Sequence, residues 1–191
     1  MIQYINLESF AALLTLICVY LAAKNNLLNW PISIVATILY LIVFVECRLY
    51  SDALLQVVFI LFQIYGWYNW KKVQNGNDFK GIRTLNIRNW FFTIIVSFIL
   101  WWIWYNLYLK IAQDPKYPLI DSGLTIFSLT AIYLQAKKYL ENWILWIVVD
   151  LVYVPMYYYA EKFQTSVLYL ILIILSVKGY LEWKKTKKMA T

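Results

Sequence analysis

The stretch ENWILWIVVDLVYVPMYYY, residues 141–159, decides the fold, because it is long and apolar enough to cross a bilayer as one helix. At steps of three and four residues, one face of this helix carries two indoles, a carboxyl group and two phenols: Trp143, Trp146, Asp150, Tyr153 and Tyr157. An unpaired carboxylate at membrane depth costs several kcal/mol. We therefore expect Asp150 to face a partner, a cavity or a ligand, and the surrounding aromatic rings suit a flat organic cation.

The composition places the whole chain in a membrane. Of its 191 residues, 63% are hydrophobic and 14% are charged, whereas a soluble domain carries about a quarter charged residues. The apolar residues form seven continuous runs, which predict an all-α integral membrane protein with seven transmembrane helices and exclude the alternating pattern of a membrane barrel. The runs span residues 6–23, 29–46, 52–70, 89–109, 120–136, 142–159 and 164–183.

Several classes of function lack the residues that they need. The sequence contains no histidine and two cysteines, so we expect no metal site and no cofactor. The formal net charge is +7, but the basic residues flank the apolar runs, and we expect no binding of nucleic acid. An enzyme would have Asp150 and tyrosines alone for acid–base chemistry, so we expect no enzymatic activity.

The basic residues also predict how the helices are oriented. They follow the first, third, fifth and seventh runs, and these four positions share one side of the membrane, which we expect to be the cytoplasm. The amino terminus then lies outside and the carboxyl terminus lies in the cytoplasm. The residues are Lys24, Lys71, Lys72, Lys80, Arg83, Arg88, Lys137, Lys138, Lys184, Lys185, Lys187 and Lys188.

The second half of the chain repeats the first at a distance of 113 residues, and rare residues coincide in this register. Two three-helix repeats, residues 6–72 and 119–185, are predicted to flank a linker helix at 89–110 within one transporter domain. This linker restores the chain direction, so the repeats are expected to be parallel and related by a pseudo-twofold axis along the membrane normal. Matching pairs are Asn29 with Asn142, Trp30 with Trp143, Tyr40 with Tyr153, Gly66 with Gly179, and Trp70 with Trp183.

The repeat is broken at two positions of the polar face. Trp146 and Asp150 correspond to Ser33 and Thr37, so a ligand between the halves is expected to be held mainly by the second half. The predicted substrate-binding residues are Asn142, Trp143, Trp146, Asp150, Tyr153 and Tyr157 in the second half, with Trp30, Thr37, Tyr40, Gln56 and Gln63 in the first.

Other residues of the same helices have simpler interpretations. For Gln56 and Gln63, hydrogen bonding between helices is as consistent with the pattern as contact with a polar solute. Gly66 and Gly179 are interpreted as points of close helix approach. The tryptophans of the linker helix are interpreted as interface anchors or lipid-facing bulk: Trp90, Trp101, Trp102 and Trp104.

The chain resembles the PnuC family of bacterial B-vitamin transporters. The resemblance lies in ENWILW at 141–146, LYSDALLQVVF at 49–59 and IYGWYNW at 64–70. It implies three, one and three helices arranged similarly to the SWEET sugar transporters, and a homotrimer in the lipid bilayer. It also implies uptake by facilitated diffusion, with a cytoplasmic kinase that traps the vitamin. Within the family pattern, Trp143 and Trp146 match the tryptophan pair near the substrate, and Gln56 matches a polar position.

The resemblance leaves the vitamin open. The best known members carry nicotinamide riboside, and relatives carry thiamine or riboflavin. Family carriers of nicotinamide riboside have asparagine at the positions of Asp150 and Gln63. Nicotinamide riboside and thiamine both contain a cationic aromatic ring, which tryptophans and a carboxylate suit. We expect import of nicotinamide riboside, with thiamine as the alternative and a membrane assembly protein without transport activity as a remote one.

Overall fold

A computed structural model describes residues 2–46, 50–75, 81–111 and 117–190, without the side chains of residues 2–6, 8, 50–52, 111 and 190. Lys80 and residue 49, the first of one family motif, lie outside the described residues. Within these ranges the chain forms seven α-helices and no strand. They are α1 (Ile2–Ala23), α2 (Asn29–Glu46), α3 (Tyr50–Gln74), α4 (Ile87–Ile111), α5 (Pro118–Ala136), α6 (Asn142–Tyr159) and α7 (Phe163–Ala190).

The helices follow the predicted apolar runs, and the bounds of α2 and α6 coincide with them. Helix α7 continues past residue 183 because the lysines that follow are good helix formers. Four of the described helices are long and apolar enough to cross a membrane: Asn29–Glu46, Ile87–Lys110, Pro118–Ala136 and Phe163–Met189. Helix α3 carries Gln56 and Gln63, and α6 carries Asp150, and these polar residues lower the mean hydropathy of the two helices.

Six of the helices close into a ring. Around it, α1 packs on α2, α2 on α3, α3 on α5, α5 on α6, α6 on α7, and α7 on α1. Helix α4 lies outside this ring against α5, and Ser97 is the one buried residue among those described in it. The chain therefore uses α4 to reach from α3 to α5, and the interior of the ring is left for a cavity.

One end of the ring is closed by four tryptophans, which we call the tryptophan cluster. Trp30, Trp70, Trp143 and Trp183 are each at most 1% exposed. In the order Trp30, Trp70, Trp183 and Trp143, the centroids of successive rings lie 5.4, 5.7 and 5.5 Å apart. The first and last of these pairs interact edge to face and the middle pair is tilted by 51°, and such contacts add to the free energy gained by burying the rings.

Two glycines make room for this cluster. A Cβ atom on Gly179 would lie 2.6 Å from Cζ2 of Trp143, and a Cβ atom on Gly66 would overlap the ring of Trp30. Real Cβ atoms do not approach other atoms this closely, so any side chain would push the indole out. The interpretation of the two glycines as points of close helix approach is confirmed.

Hydrogen bonds across the cluster run in both directions between the two halves of the chain. Trp70 donates from Nε1 to the main-chain oxygen of Gln135 at 3.0 Å, and Trp183 donates to the main-chain oxygen of Ala22 at 2.9 Å. Lys138 donates to Oδ1 of Asn25 at 2.9 Å, and these two residues are themselves 113 positions apart. Residues in matching positions thus make reciprocal contacts.

The connection before α4 fastens the turn between α5 and α6. The main-chain nitrogen of Arg83 donates to the oxygen of Lys138 at 2.9 Å, and Leu140 donates to the oxygen of Arg83 at 2.8 Å. The amide of Leu85 donates to a carboxylate oxygen of Glu141 at 3.0 Å. The turn that carries Lys138 is therefore held from outside the ring as well as from within it.

Trp101 corrects one interpretation of the linker helix. Its indole nitrogen lies 3.0 Å from the main-chain oxygen of Leu119 and 3.1 Å from Oγ of Ser122, both on α5. Trp101 therefore joins α4 to α5 and is not lipid-facing bulk. Trp102, which is 65% exposed, has the surface position that was predicted for this group.

Candidate functional site

The ring encloses a cavity of about 570 Å³, a volume typical of small-molecule sites. At one end it is lined by Trp30 and Trp143 of the tryptophan cluster. At the other end it reaches the turn between α6 and α7, where the exposed Lys162 lines it. We call the Lys162 end the mouth.

Ten of the eleven residues predicted to bind substrate line this cavity. They come from α2, α3 and α6, three helices that sequence spacing alone does not bring together. The ten are Trp30, Thr37, Tyr40, Gln56, Gln63, Trp143, Trp146, Asp150, Tyr153 and Tyr157.

Asn142 is the predicted residue that does not line the cavity. It is fully buried, and its Nδ2 donates to the main-chain oxygen of Tyr139 at 2.6 Å. Asn29, at the matching position of the first half, donates to the oxygen of Asn26 at 2.6 Å in the same way. Both asparagines fasten the turn that precedes their helix, so Asn142 is not part of the candidate site.

Asp150 lies in the wall of the cavity and is 4% exposed. No lysine or arginine side chain that the structure describes forms a salt bridge with it. Lys178 instead places its ammonium group 5.2 Å from the ring centroid of Tyr20. Lys162, at the mouth, is roughly three helical turns away along the chain. The middle of the cavity therefore carries one carboxyl group without a cationic side chain beside it.

Trp146 stands one turn before Asp150 on the same face of α6. Its Nε1 donates to Oε1 of Gln135 at 3.1 Å, and its ring packs against the edge of the tryptophan cluster. Gln135 comes from α5 and was not predicted. Its position next to Trp146 depends on how α5 packs on α6, which the spacing of residues in the sequence does not reveal.

The first half of the chain presents a neutral polar pair to the same cavity. Gln63 donates from Nε2 to Oγ1 of Thr37 at 2.8 Å, and Thr37 donates to the main-chain oxygen of Ser33 at 2.8 Å. This bond joins α3 to α2, so the interpretation of Gln63 as a residue that hydrogen-bonds between helices is confirmed. Its Oε1 is buried and has no hydrogen-bond partner among the described residues, so one acceptor remains in the wall.

Tyrosines line the cavity between Asp150 and the mouth. Tyr153, Tyr157 and Tyr169 stack on one another, with ring centroids 4.5 to 5.7 Å apart. Tyr169 comes from α7 and was not among the predicted site residues, although it lies on the polar face of that helix. In the first half, Tyr40 stacks on Phe44 at 6.2 Å. The path from the mouth to Asp150 is therefore largely aromatic.

Comparison with known proteins identifies the family of the chain. A family model described as nicotinamide mononucleotide transporter matches residues 5–185. The chain belongs to this family. It is similar to the nicotinamide riboside transporter PnuC of Escherichia coli, with 27% identity over 93% of this chain and 84% of the relative. The resemblance to PnuC that its motifs indicated is confirmed.

Further relatives span the same length. The nicotinamide riboside transporter PnuC of Neisseria mucosa is 25% identical over 95% of this chain and 73% of its own. The riboflavin/roseoflavin transporter RibM of Streptomyces davaonensis is 25% identical over 90% of this chain and 81% of its own. A crystal structure of the vitamin B3 transporter PnuC has a TM-score of 0.80 at 21% identity, covering 97% of this chain and 83% of that one. This likeness shows the fold.

The family and the apolar helices together indicate a multi-pass protein of the bacterial inner membrane. The named relatives of this PnuC family member carry different vitamins at nearly equal identity. Overall similarity therefore does not choose the vitamin, and the charges and rings of the cavity have to decide it.

Proposed function

We propose that the chain imports nicotinamide riboside by facilitated diffusion. The observation that carries this proposal is Asp150, which lies in the cavity wall without a salt bridge, one helical turn from Trp146. The nicotinamide ring of the riboside is flat and permanently cationic. It can stack on the face of Trp146 while the carboxylate of Asp150 balances its charge, and both interactions strengthen away from water.

The cavity favours the riboside over the mononucleotide. A nucleotide adds a phosphate, which proteins bind with arginine, lysine or a helix amino terminus. Among the described lining residues, Lys162 is the one cationic side chain, and it lies at the mouth. The phosphate of a nucleotide bound at Trp146 would have no cationic side chain beside it in the middle of the cavity, and the carboxylate of Asp150 would repel it.

Thiamine is the second candidate, and the carboxylate suits it as well as it suits the riboside. Its thiazolium ring is a cation like that of the riboside, and family carriers of the riboside have asparagine where this chain has Asp150. Riboflavin has an uncharged ring system, so the carboxylate would give it no comparable stabilisation. The charge of the cavity therefore separates riboflavin from the two cations, and binding measurements have to separate those two from each other.

The remaining lining residues take roles that follow from their chemistry. Gln63, Gln56 and Thr37 offer hydrogen-bonding groups for the hydroxyl and amide groups of the ligand. The aromatic path to the mouth, including Tyr40, Tyr153 and Tyr157, allows a cation to move along ring faces. Trp30 and Trp143 form the floor of the cavity, where the tryptophan cluster closes it.

We further propose a SWEET-like arrangement, with repeats at 6–72 and 119–185 around the helix at 89–110. The reciprocal hydrogen bonds of Trp70 and Trp183 support a pseudo-twofold axis through the tryptophan cluster. Lys24, Lys137 and Lys138 lie at the cluster end, so we assign that end and the carboxyl terminus to the cytoplasm and the mouth and amino terminus to the outside. Transport then requires the mouth to close and the cluster to open.

Two features of the proposal concern partners. As the resemblance implies, the chain is proposed to form a homotrimer in the bilayer. A cytoplasmic vitamin kinase is proposed to keep uptake directional, because a phosphorylated vitamin no longer fits a cavity that lacks a cation in its middle.

Flux into liposomes tests the function. Purified protein is reconstituted, and uptake of labelled nicotinamide riboside and labelled thiamine is followed without ATP and with the membrane potential and ion gradients collapsed. We expect saturable uptake of the riboside down its own gradient. A strict requirement for sodium or protons would reject facilitated diffusion. Uptake of thiamine without uptake of the riboside would identify thiamine as the substrate. If neither vitamin is taken up, a membrane assembly protein would be favoured.

A further inference from the structure

Gln135 touches both the candidate site and the tryptophan cluster. It lies in the last turn of α5 and lines the cavity. Its side-chain Oε1 accepts a hydrogen bond from Nε1 of Trp146 at 3.1 Å, and its main-chain oxygen accepts one from Nε1 of Trp70 at 3.0 Å. One residue therefore contacts the aromatic wall of the site and the element that closes it.

The internal repeat contains one of these two contacts in both halves and the other in the second half alone. Ala22 occupies the matching position, and its main-chain oxygen accepts a hydrogen bond from Trp183 at 2.9 Å, so the main-chain contact is present in both halves. The side-chain contact is present in the second half alone, because alanine has no acceptor and Ser33 stands where the second half has Trp146. Two departures from the repeat thus lie in direct contact with each other.

We infer that Gln135 is a positioning residue that fixes the plane of the Trp146 indole for the cationic ring. An indole has one polar atom, a donor at Nε1, so a single acceptor is enough to set the rotation of the ring. A cation gains most when it lies over the face of the ring rather than at its edge. Removing the acceptor leaves the N–H group without its partner and the ring able to turn. This inference rests on the proposed binding of a cation at Trp146.

A double-mutant cycle tests whether Gln135 acts through Trp146. Gln135→Met keeps the length of the side chain and removes its amide, and Trp146→Phe keeps an aromatic face and removes the N–H group. We expect each variant to weaken binding of nicotinamide riboside about fivefold in calorimetry. The double variant should have the same affinity for nicotinamide riboside as the single variant that binds it less tightly. Losses that multiply in the double variant would overturn the inference.

Gln135→Glu supplies a rescue within the same experiment. It restores an acceptor for Nε1 of Trp146 and adds a negative charge to the cavity, so the affinity for the cation should return to at least that of the unmodified chain. An affinity as low as that of Gln135→Met would overturn the inference, because an acceptor at this position would then not matter. Thermal unfolding of each variant in detergent verifies that it is folded.

A measurement without ligand keeps this inference separate from the proposed function. The protein is labelled with 5-fluorotryptophan, and the fluorine resonance that disappears in Trp146→Phe is assigned to Trp146. We expect Gln135→Met to move or broaden that resonance. The same substitution at the exposed Gln74 should leave it in place. If the resonance does not move in Gln135→Met, the inference is overturned, whether or not nicotinamide riboside binds. If nicotinamide riboside does not bind but the resonance moves, the proposed function alone is rejected.

Discussion

The tryptophan cluster and the middle of the cavity use the internal repeat in opposite ways. At the cluster, Trp30 packs against Gly66 as Trp143 packs against Gly179, and the bonds of Trp70 and Trp183 are reciprocal. In the middle of the cavity the matching positions carry different chemistry. The second half has an indole, a carboxylate and an amide where the first has Ser33, Thr37 and Ala22.

This difference follows from what each region has to contact. At the cluster, one half of the protein meets the other half, so the same side chains serve on both sides of the interface. In the cavity, the proposed ligand has no twofold symmetry, with a cationic ring at one end and hydroxyl groups at the other. Matching residues would then bind neither end well, which explains why the repeat is broken there.

The glycines give the largest expected effect and test the symmetric region. Gly179→Ala and Gly66→Ala should each destabilise the protein by about 1–3 kcal/mol, because the new methyl group overlaps an indole ring. Because Gly66 faces Trp30 as Gly179 faces Trp143, the two substitutions should lower the free energy of unfolding by similar amounts. Thermal unfolding in detergent measures them, and Gly81→Ala, where no atom lies within 4 Å of the added group, is the control.

A large loss at one glycine and none at the other would contradict the view that the cluster is symmetric. Equal losses at all three glycines would show that chain flexibility, rather than the fit of the two indoles, sets the effect.

Trp146 gives the next largest effect and tests the asymmetric region. Trp146→Ala should weaken binding of the cationic vitamin by roughly 1–2 kcal/mol, the magnitude of a desolvated cation–π contact. Trp102→Ala is the control, since Trp102 is 65% exposed and lies on α4 outside the ring. Calorimetric titration measures the affinity of both variants for the vitamin. Equal losses of affinity in the two variants would show that Trp146 is not part of the site.

Sequence spacing predicted what a single helix determines. The stripe from Trp143 to Tyr157 follows from the 3.6-residue period, and all five of its residues line the cavity. Gln135 and Tyr169 were missed as site residues because they reach the cavity from α5 and α7, and their neighbours depend on how helices pack. Asn142 was assigned to the site because a buried amide looks the same in a sequence whether it binds a ligand or fastens a turn.

The same limit applies to the tryptophans. Spacing and abundance did not distinguish Trp101, which bonds to α5, from Trp102, which faces outward. The matching of Trp30 with Trp143 was visible in the repeat, but the close contact of Trp30 with Gly66 and of Trp143 with Gly179 identifies their main role as packing. The sequence thus shows which positions of the two halves match. Whether a tryptophan at such a position packs against the protein or binds a ligand depends on its neighbours in the structure.

Lys138 gives the smallest expected effect, and it forms with Asn25 a matching pair whose two side chains differ. Burial lowers the pKa of Lys138 from 10.5 to about 8, while Asn25 and the ring of Trp70, 4.4 Å from its ammonium group, favour the charged form. Between about pH 8 and 10.5 the unfolded chain holds more protons, so stability should rise with pH. The full shift in pKa would correspond to about 3 kcal/mol across this range. Because Asn25 and Trp70 stabilise the charged form, we expect a smaller gain of about 1 kcal/mol.

Thermal unfolding in detergent as a function of pH measures this gain. Lys138→Met should remove the rise. Lys137→Met should leave it unchanged, because a hydrogen bond to Tyr133 raises the pKa of Lys137 and its titration lies higher. A rise that persists in Lys138→Met would assign it to another group.

The central claim is that Asp150 is the counter-ion of a cationic substrate. The most direct measurement compares calorimetric dissociation constants for nicotinamide riboside and for its reduced form, whose ring has nearly the same shape but no charge. The unmodified chain should bind the cation at least about tenfold more tightly. Asp150→Asn should lose most of this preference and keep only the part that Trp146 provides, while its affinity for the reduced form stays unchanged. A preference for the cation that is the same in both proteins would contradict the claim.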